Sequence, residues 1–138
     1  MKISAKTDYA CRALLELSLH WPNPGLLQVG VIAERQKIPI KFLTHILIRL
    51  KELGLVNSVR GKKGGYALAK PPQEIKLSDL AKPFMEIGSP QVKSKRADVF
   101  FHVWQEMDRL VLEAMGKITI EDLCQRERNL SQAGLYTI

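Results

Sequence analysis

Cysteine is scarce in this chain of 138 residues: Cys11 and Cys124 are the only two, and they stand near opposite ends. That excludes a disulfide framework and fits a reducing compartment, so a cytoplasmic location is expected. Long apolar runs are missing as well. No stretch approaches the about 18 residues of a membrane-spanning helix, and no apolar signal core follows the first six residues. Histidine is limited to His20, His45 and His102, on separate segments, with no His-x-x-x-His pair and no nucleophile elbow. An enzyme is therefore not expected. A Walker loop is also absent, because Gly64-Gly65 leads into Tyr66-Ala67-Leu68, and no GxGxxG pattern occurs.

The last shortage is local. Residues 1–70 hold twelve Lys or Arg against four acids, whereas residues 71–138 hold nine against ten. The whole net charge of +7 therefore sits in the first half. A basic module joined to a near-neutral one points to a polyanion partner and a separate pairing element. Hydrophobic residues at 46% and charged residues at 25% fit a folded protein, and the length suits a single core.

Apolar spacing organises the first half. Tyr9, Ala10, Ala13, Leu14, Leu17 and Trp21 recur at three and four residues, which predicts a helix capped by Thr7 and ended by Pro22, Pro24 and Gly25. A second helix is expected over Val29 to Gln36, with Val29, Ile32 and Ala33 inward. A third is expected from Ile40 to Leu53, opened by Pro39 and closed by a left-handed Gly54. Its stripe is Leu43, Ile46, Leu47, Leu50 and Leu53, so Lys41, Thr44, His45 and Ile48 point away from the core. Two extended pieces follow, Leu55 to Val59 and Tyr66 to Leu68. The loop between them, Arg60-Gly61-Lys62-Lys63-Gly64-Gly65, combines tight-turning glycines with cations that must face solvent or an anion. Helix, turn, helix and basic-tipped hairpin is the winged-helix order, with the third helix in the major groove and the hairpin at phosphates or the minor groove.

These segments carry a resemblance. Residues 1–10, Ile32-Ala33-Glu34-Arg35-Gln36, Leu53 to Gly61 and Gly64-Gly65-Tyr66 resemble the Rrf-two family of bacterial regulators. Ile118 to Leu123 resembles its closing helix, and the likeness covers nearly the whole chain except Met85 to Asp98. It implies a homodimeric regulator, expected to repress, that binds double-stranded DNA at an inverted repeat. It also implies base or phosphate contacts for Lys41, Phe42 and His45, and a wing that begins at Arg60 and enters the minor groove. By chemistry, Lys41 and His45 can donate to guanine, and Phe42 either touches a thymine methyl or packs in the core. Thr44 and Gly61 join them as expected DNA-binding residues. Lys62 and Lys63 stand where the family commonly has proline and glycine, and they suit phosphates better than bases.

The second half supplies the partner surface. A short helix is expected over Leu77 to Met85, capped near Ser78 and distorted by Pro83, followed by a linker from Gly88 to Ser94. A long helix from Lys95 to Met115 carries Val99, Val103, Trp104, Met107, Leu110, Val111 and Met115 on one stripe suited to a second copy. The expected division is thus a DNA-binding domain at 1–70, a short helix and linker at 71–94, and a dimerisation helix with tail at 95–138. The expected fold is mainly α with a small β-hairpin wing.

Members of the family that sense iron, redox state or nitric oxide carry three cysteines before the dimer helix, whereas residues 85–98 contain none here. No cofactor is therefore expected, an iron–sulfur cluster included. Asp8 matches a position that supplies a non-cysteine ligand in some relatives, but alone it suits capping or orienting the first helix. Two alternatives stay open: a winged-helix protein-interaction module, and a thiol-responsive regulator using Cys11 or Cys124. Control by a partner protein or small ligand near the linker is a further option, and the sequence names none.

Overall fold

The computed structural model describes residues 2–85, 87 and 98–134. α1 (Ala5–Leu19) begins where the Ser4 hydroxyl accepts from the Thr7 amide at 3.2 Å. The cap is thus Ser4, not Thr7. Two hydroxyl residues three apart both satisfy the local rule; Thr7 lies one turn inside the helix, with its hydroxyl bonded to that of Ser4 at 2.9 Å and donated to the Phe84 carbonyl at 3.3 Å. The helix ends two residues short of Trp21, which precedes Pro22 and is disfavoured in the α region. Ala10, Ala13, Leu14 and Leu17 are buried on its inner face.

α2 (Val29–Gln36) buries Ile32 and partly buries Val29 and Ala33. Lys37, at φ 54° and ψ 47°, takes the left-handed turn that leads into α3 (Ile40–Glu52). Leu43, Ile46, Leu47 and Leu50 enter the core beside α1, and Gly54 closes the helix at φ 76° as expected. Each such buried leucine contributes about 1.5–3 kcal/mol of transfer free energy. The hairpin pairs β1 (Val56–Val59) with β2 (Gly65–Leu68), antiparallel, with Val56 opposite Leu68 and Val59 opposite Gly65. Leu27 adds a further rung: its amide donates to the Tyr66 carbonyl at 2.9 Å and its carbonyl accepts from Tyr66 at 2.8 Å. Gly65, at φ 152°, backs onto the Leu27 carbonyl, where no side chain would fit.

α4 (Ser78–Leu80) runs on as a π-helical turn, Ala81–Met85. The distortion expected at Pro83 thus takes the form of a widened turn. Of the expected cap at Ser78 or its neighbours, Ser78 makes no capping bond. Instead the Asp79 carboxylate accepts from the Lys76 amide at 2.9 Å. The expected linker at 88–94, and residues 95–97 of the expected long helix, lie outside the described residues.

α5 (Val99–Gly116) starts at Asp98, whose carboxylate accepts from the Phe101 amide at 3.0 Å. α6 (Ile120–Gln132) opens with a reciprocal cap between Thr119 and Asp122 and then packs on α1. Ile120 and Cys124 are fully buried in the core that also holds Leu14 and Leu47. Backbone bonds from Leu77 to Ile118 and from Ile120 to Ile75, both 2.8 Å, tie this return to the segment after the wing. No helix among the described residues is long and apolar enough to cross a membrane.

Candidate nucleic-acid interface

α3 divides its side chains sharply. The leucine stripe faces inward, while Lys41, Phe42, Thr44 and His45 are all exposed. Phe42 is therefore no core aromatic. Lys41 and His45 have no hydrogen-bond or acidic partner among the described residues, so both keep their donors for an outside acceptor. Thr44 differs: its hydroxyl donates to the Ile40 carbonyl at 2.8 Å, so its proton is not free for an outside acceptor.

The hairpin tip holds the second group. Arg60, Gly61, Lys62 and Lys63 are exposed, and the three cations lack an acidic partner among the described residues. The tip is braced rather than loose. Gln28, just before α2, donates from Nε2 to the Lys62 carbonyl at 3.0 Å, and the Gly64 amide closes a turn on Gly61 at 2.9 Å. At the wing's base, Lys51 on α3 donates to the Ser58 hydroxyl on β1 at 2.7 Å. These bonds fix the hairpin against the helix-turn-helix unit, so the two basic groups form a set of defined geometry.

Three arginines elsewhere in the first half are engaged by acids: Arg12 with Asp8 at 2.8 Å, Arg49 with Glu52 at 3.2 Å, and Arg35 with buried Glu16 at 3.6 Å. Glu16 also accepts from Gln36 at 3.1 Å, which links α1 to α2. Unpaired like charges on one face repel each other, and a polyanion relieves that repulsion.

Two features escaped the sequence. Phe42 and His45 share a cleft of about 400 Å³ with Lys6, Tyr9 and Arg49, so the start of α1 stands beside the outer face of α3. The wing residues and Lys41 lie outside this cleft. The Gln28 brace is the other, and a lone glutamine in a loop carries no pattern that would announce it. Ile40 is exposed although it stands three residues before buried Leu43, where periodicity alone would turn it inward.

The model of the Rrf2 family, described as iron-dependent transcriptional regulators, matches residues 3–126. A Synechocystis protein assigned to the HTH-type transcriptional regulators is 36% identical over 140 residues, covering 96% of this chain and 94% of that one. Among solved structures, CymR, the global cysteine regulator of B. subtilis, aligns with a TM-score of 0.78 at 27% identity, covering 91% of this chain and 98% of its own. IscR of T. potens aligns at 0.76 and 31% identity, covering 92% and 88%. These relatives are regulators of transcription, a class without enzymatic activity.

The donor set of this chain does not fit an iron–sulfur cluster. Residues 85–98 hold no cysteine, and Cys124 is fully buried in the core. Burial pushes both Cys11 and Cys124 up to about 11, and two thiols near opposite ends of the chain fall short of the usual ligand set. Asp8 pairs with Arg12 one turn along α1, and the cap of that helix is Ser4.

Proposed function

The chain belongs to the Rrf2 family of transcriptional regulators, and from that premise we propose that it is a homodimeric repressor of an inverted-repeat DNA operator. The observation that carries the DNA contact is the set of unpartnered cations on two braced surfaces, Lys41 on α3 and Arg60, Lys62 and Lys63 on the wing. α3 enters the major groove, the wing reaches phosphates and the minor groove, and the start of α1 lies along the backbone through Lys6. A dimer seated on an operator excludes other proteins from the same DNA, which makes repression the expected sign. Work on the chromosome of a bacterium puts the protein in the cytoplasm.

α5 supports the pairing. None of its residues is buried; Phe100 is 63% exposed and Trp104 53%. Val99, Val103, Met107 and Leu110 extend the same uncovered surface. Eighteen residues of helix with an apolar flank in water are marginal alone, and an antiparallel copy of α5 covers that flank. Two recognition helices then stand about one turn of DNA, roughly 34 Å, apart.

Titration of the purified chain against a random-sequence duplex pool at several salt concentrations tests this. Affinity should fall steeply with salt, and Lys41→Ala with Arg60→Ala should lower it and flatten the slope. If neither substitution matters and no duplex competes above background, the surface serves a protein partner instead.

A further inference from the structure

The outer surface of α3 is more apolar than a groove-reading helix needs for hydrogen bonding alone. Ile40 is 54% exposed, Phe42 60% and Ile48 46%, and exposed Thr44 has its proton held by the Ile40 carbonyl, so its methyl is what it can offer a base. Lys41 and His45 have no partner there among the described residues, and Arg49 gives one of its N–H groups to Glu52. Leaving a phenylalanine and two isoleucines in water forgoes burial that a matching surface would recover. The surroundings select that surface: Lys41 and Arg49 share the helix, and Lys6 with His45 and Arg49 lines the cleft beside Phe42. A partner that meets an exposed phenylalanine flanked by Lys6, His45 and Arg49 is an anion with apolar spots of its own. In the major groove of DNA the base-edge group of that kind is the C5-methyl of thymine.

We infer that α3 reads its half-site chiefly through thymine methyls, with Phe42, Ile48 and the Thr44 methyl as the specificity-determining contacts. Lys41 and His45 set register on phosphates and neighbouring base edges. The half-site is accordingly rich in A·T pairs at the positions α3 covers. This rests on the DNA-binding function proposed above and goes further, because it names the group that is read.

Thymine and deoxyuridine differ by that methyl alone and keep the same hydrogen-bonding edge. The test therefore starts from duplexes enriched from the random pool by the purified protein and replaces their half-site thymines with deoxyuridine one at a time. Removing a contacted methyl should weaken binding about fourfold. Phe42→Ala should weaken binding to the thymine duplex by at least as much. At the position Phe42 covers, that variant should no longer distinguish thymine from deoxyuridine. Phe42 is exposed, so the variant should keep the wild-type circular dichroism.

If deoxyuridine has no effect at any position while 7-deazaguanine weakens binding, α3 reads guanine through Lys41 and His45. The inference then fails and the DNA-binding proposal stands. Should no duplex be enriched at all, the DNA-binding proposal falls and takes the inference with it.

Discussion

α3 and α5 are both amphipathic helices, and they dispose of their apolar residues in opposite ways. α3 places Leu43, Ile46, Leu47 and Leu50 in a closed core against α1, whereas α5 buries no residue and leaves Val99, Phe100, Trp104 and Leu110 in contact with solvent. Both carry the same sequence signal, an apolar stripe at helical spacing. What separates them is whether the chain itself supplies the covering surface. The stripe of α3 is satisfied within one copy, and that of α5 is left uncovered by the described residues, as the proposed pairing requires.

The largest effects should fall on the closed side of this contrast. Leu47→Ala removes a fully buried side chain at the centre of the core and should cost about 2–5 kcal/mol in urea unfolding. The matching change on α5, Leu110→Ala, should show its cost mainly at protein concentrations where the dimer forms. An equal loss for Leu110→Ala at every concentration would mean that α5 is covered by its own chain, and the contrast would break.

Next in size is the pairing surface itself. Trp104→Ala should weaken self-association on the order of 30-fold, the loss typical of an aromatic anchor at an interface. Sedimentation equilibrium should then find monomers where the parent chain is dimeric, with helix content retained. A dimer of unchanged strength would move the interface off α5.

A smaller effect is expected at the wing. Lys62→Ala and Lys63→Ala should each reduce the slope of log affinity against log salt by about 0.9 and weaken all duplexes alike, since phosphate contacts carry no sequence information. Phe42→Ala should instead act on particular sequences. If either lysine substitution changes which duplexes are preferred, the tip reads bases as well.

Much of this was legible in the sequence because it is local. The α3 stripe, the left-handed Gly54 and the basic hairpin all follow from neighbours within about four residues, and each lies where its spacing put it. What escaped was set at long range. Ser4 rather than Thr7 caps α1, and the Thr7 hydroxyl reaches the Phe84 carbonyl, which no local rule contains. The return of α6 to α1 depends on Ile120 and Cys124 meeting a core built mostly from the first half, and on Ile75 and Leu77 receiving the chain there. At the interface, charge and periodicity identified the exposed set. The Gln28 brace and the sharing of one cleft by Lys6, Phe42 and Arg49 come only from packing.

The α6 return has its own signature. Thr119→Ala removes the hydroxyl that accepts from the Asp122 amide at 3.1 Å and should cost about 1 kcal/mol. The Asp122 carboxylate is held below its usual range by the Thr119 backbone and side chain. Its contribution is therefore present above the unfolded value and is lost as pH falls through the lower folded one. A Thr119→Ala chain whose acid unfolding matches the parent's would leave the cap without influence.

The smallest effect should come from the thiols, and the reason lies in the same contrast between closed and open surfaces. Cys124 is inside the core and Cys11 is partly covered on α1, so burial raises both from 9.0 to about 11. At pH 7.5 the thiolate fraction is then under one in a thousand, against about one in thirty for a cysteine at the ordinary 9.0. Mild peroxide should leave duplex affinity unchanged in the parent chain, in Cys11→Ala and in Cys124→Ala alike. A disulfide-forming reagent should label Cys11 first and Cys124 only as the chain unfolds. Because both folded values are raised, the stability tied to the protonated thiols is fully present below about pH 9 and declines as pH rises toward 11. Loss of DNA binding under peroxide at neutral pH, abolished by Cys11→Ala, would show that α1 opens in the native state, and the core would be less closed than its burial implies.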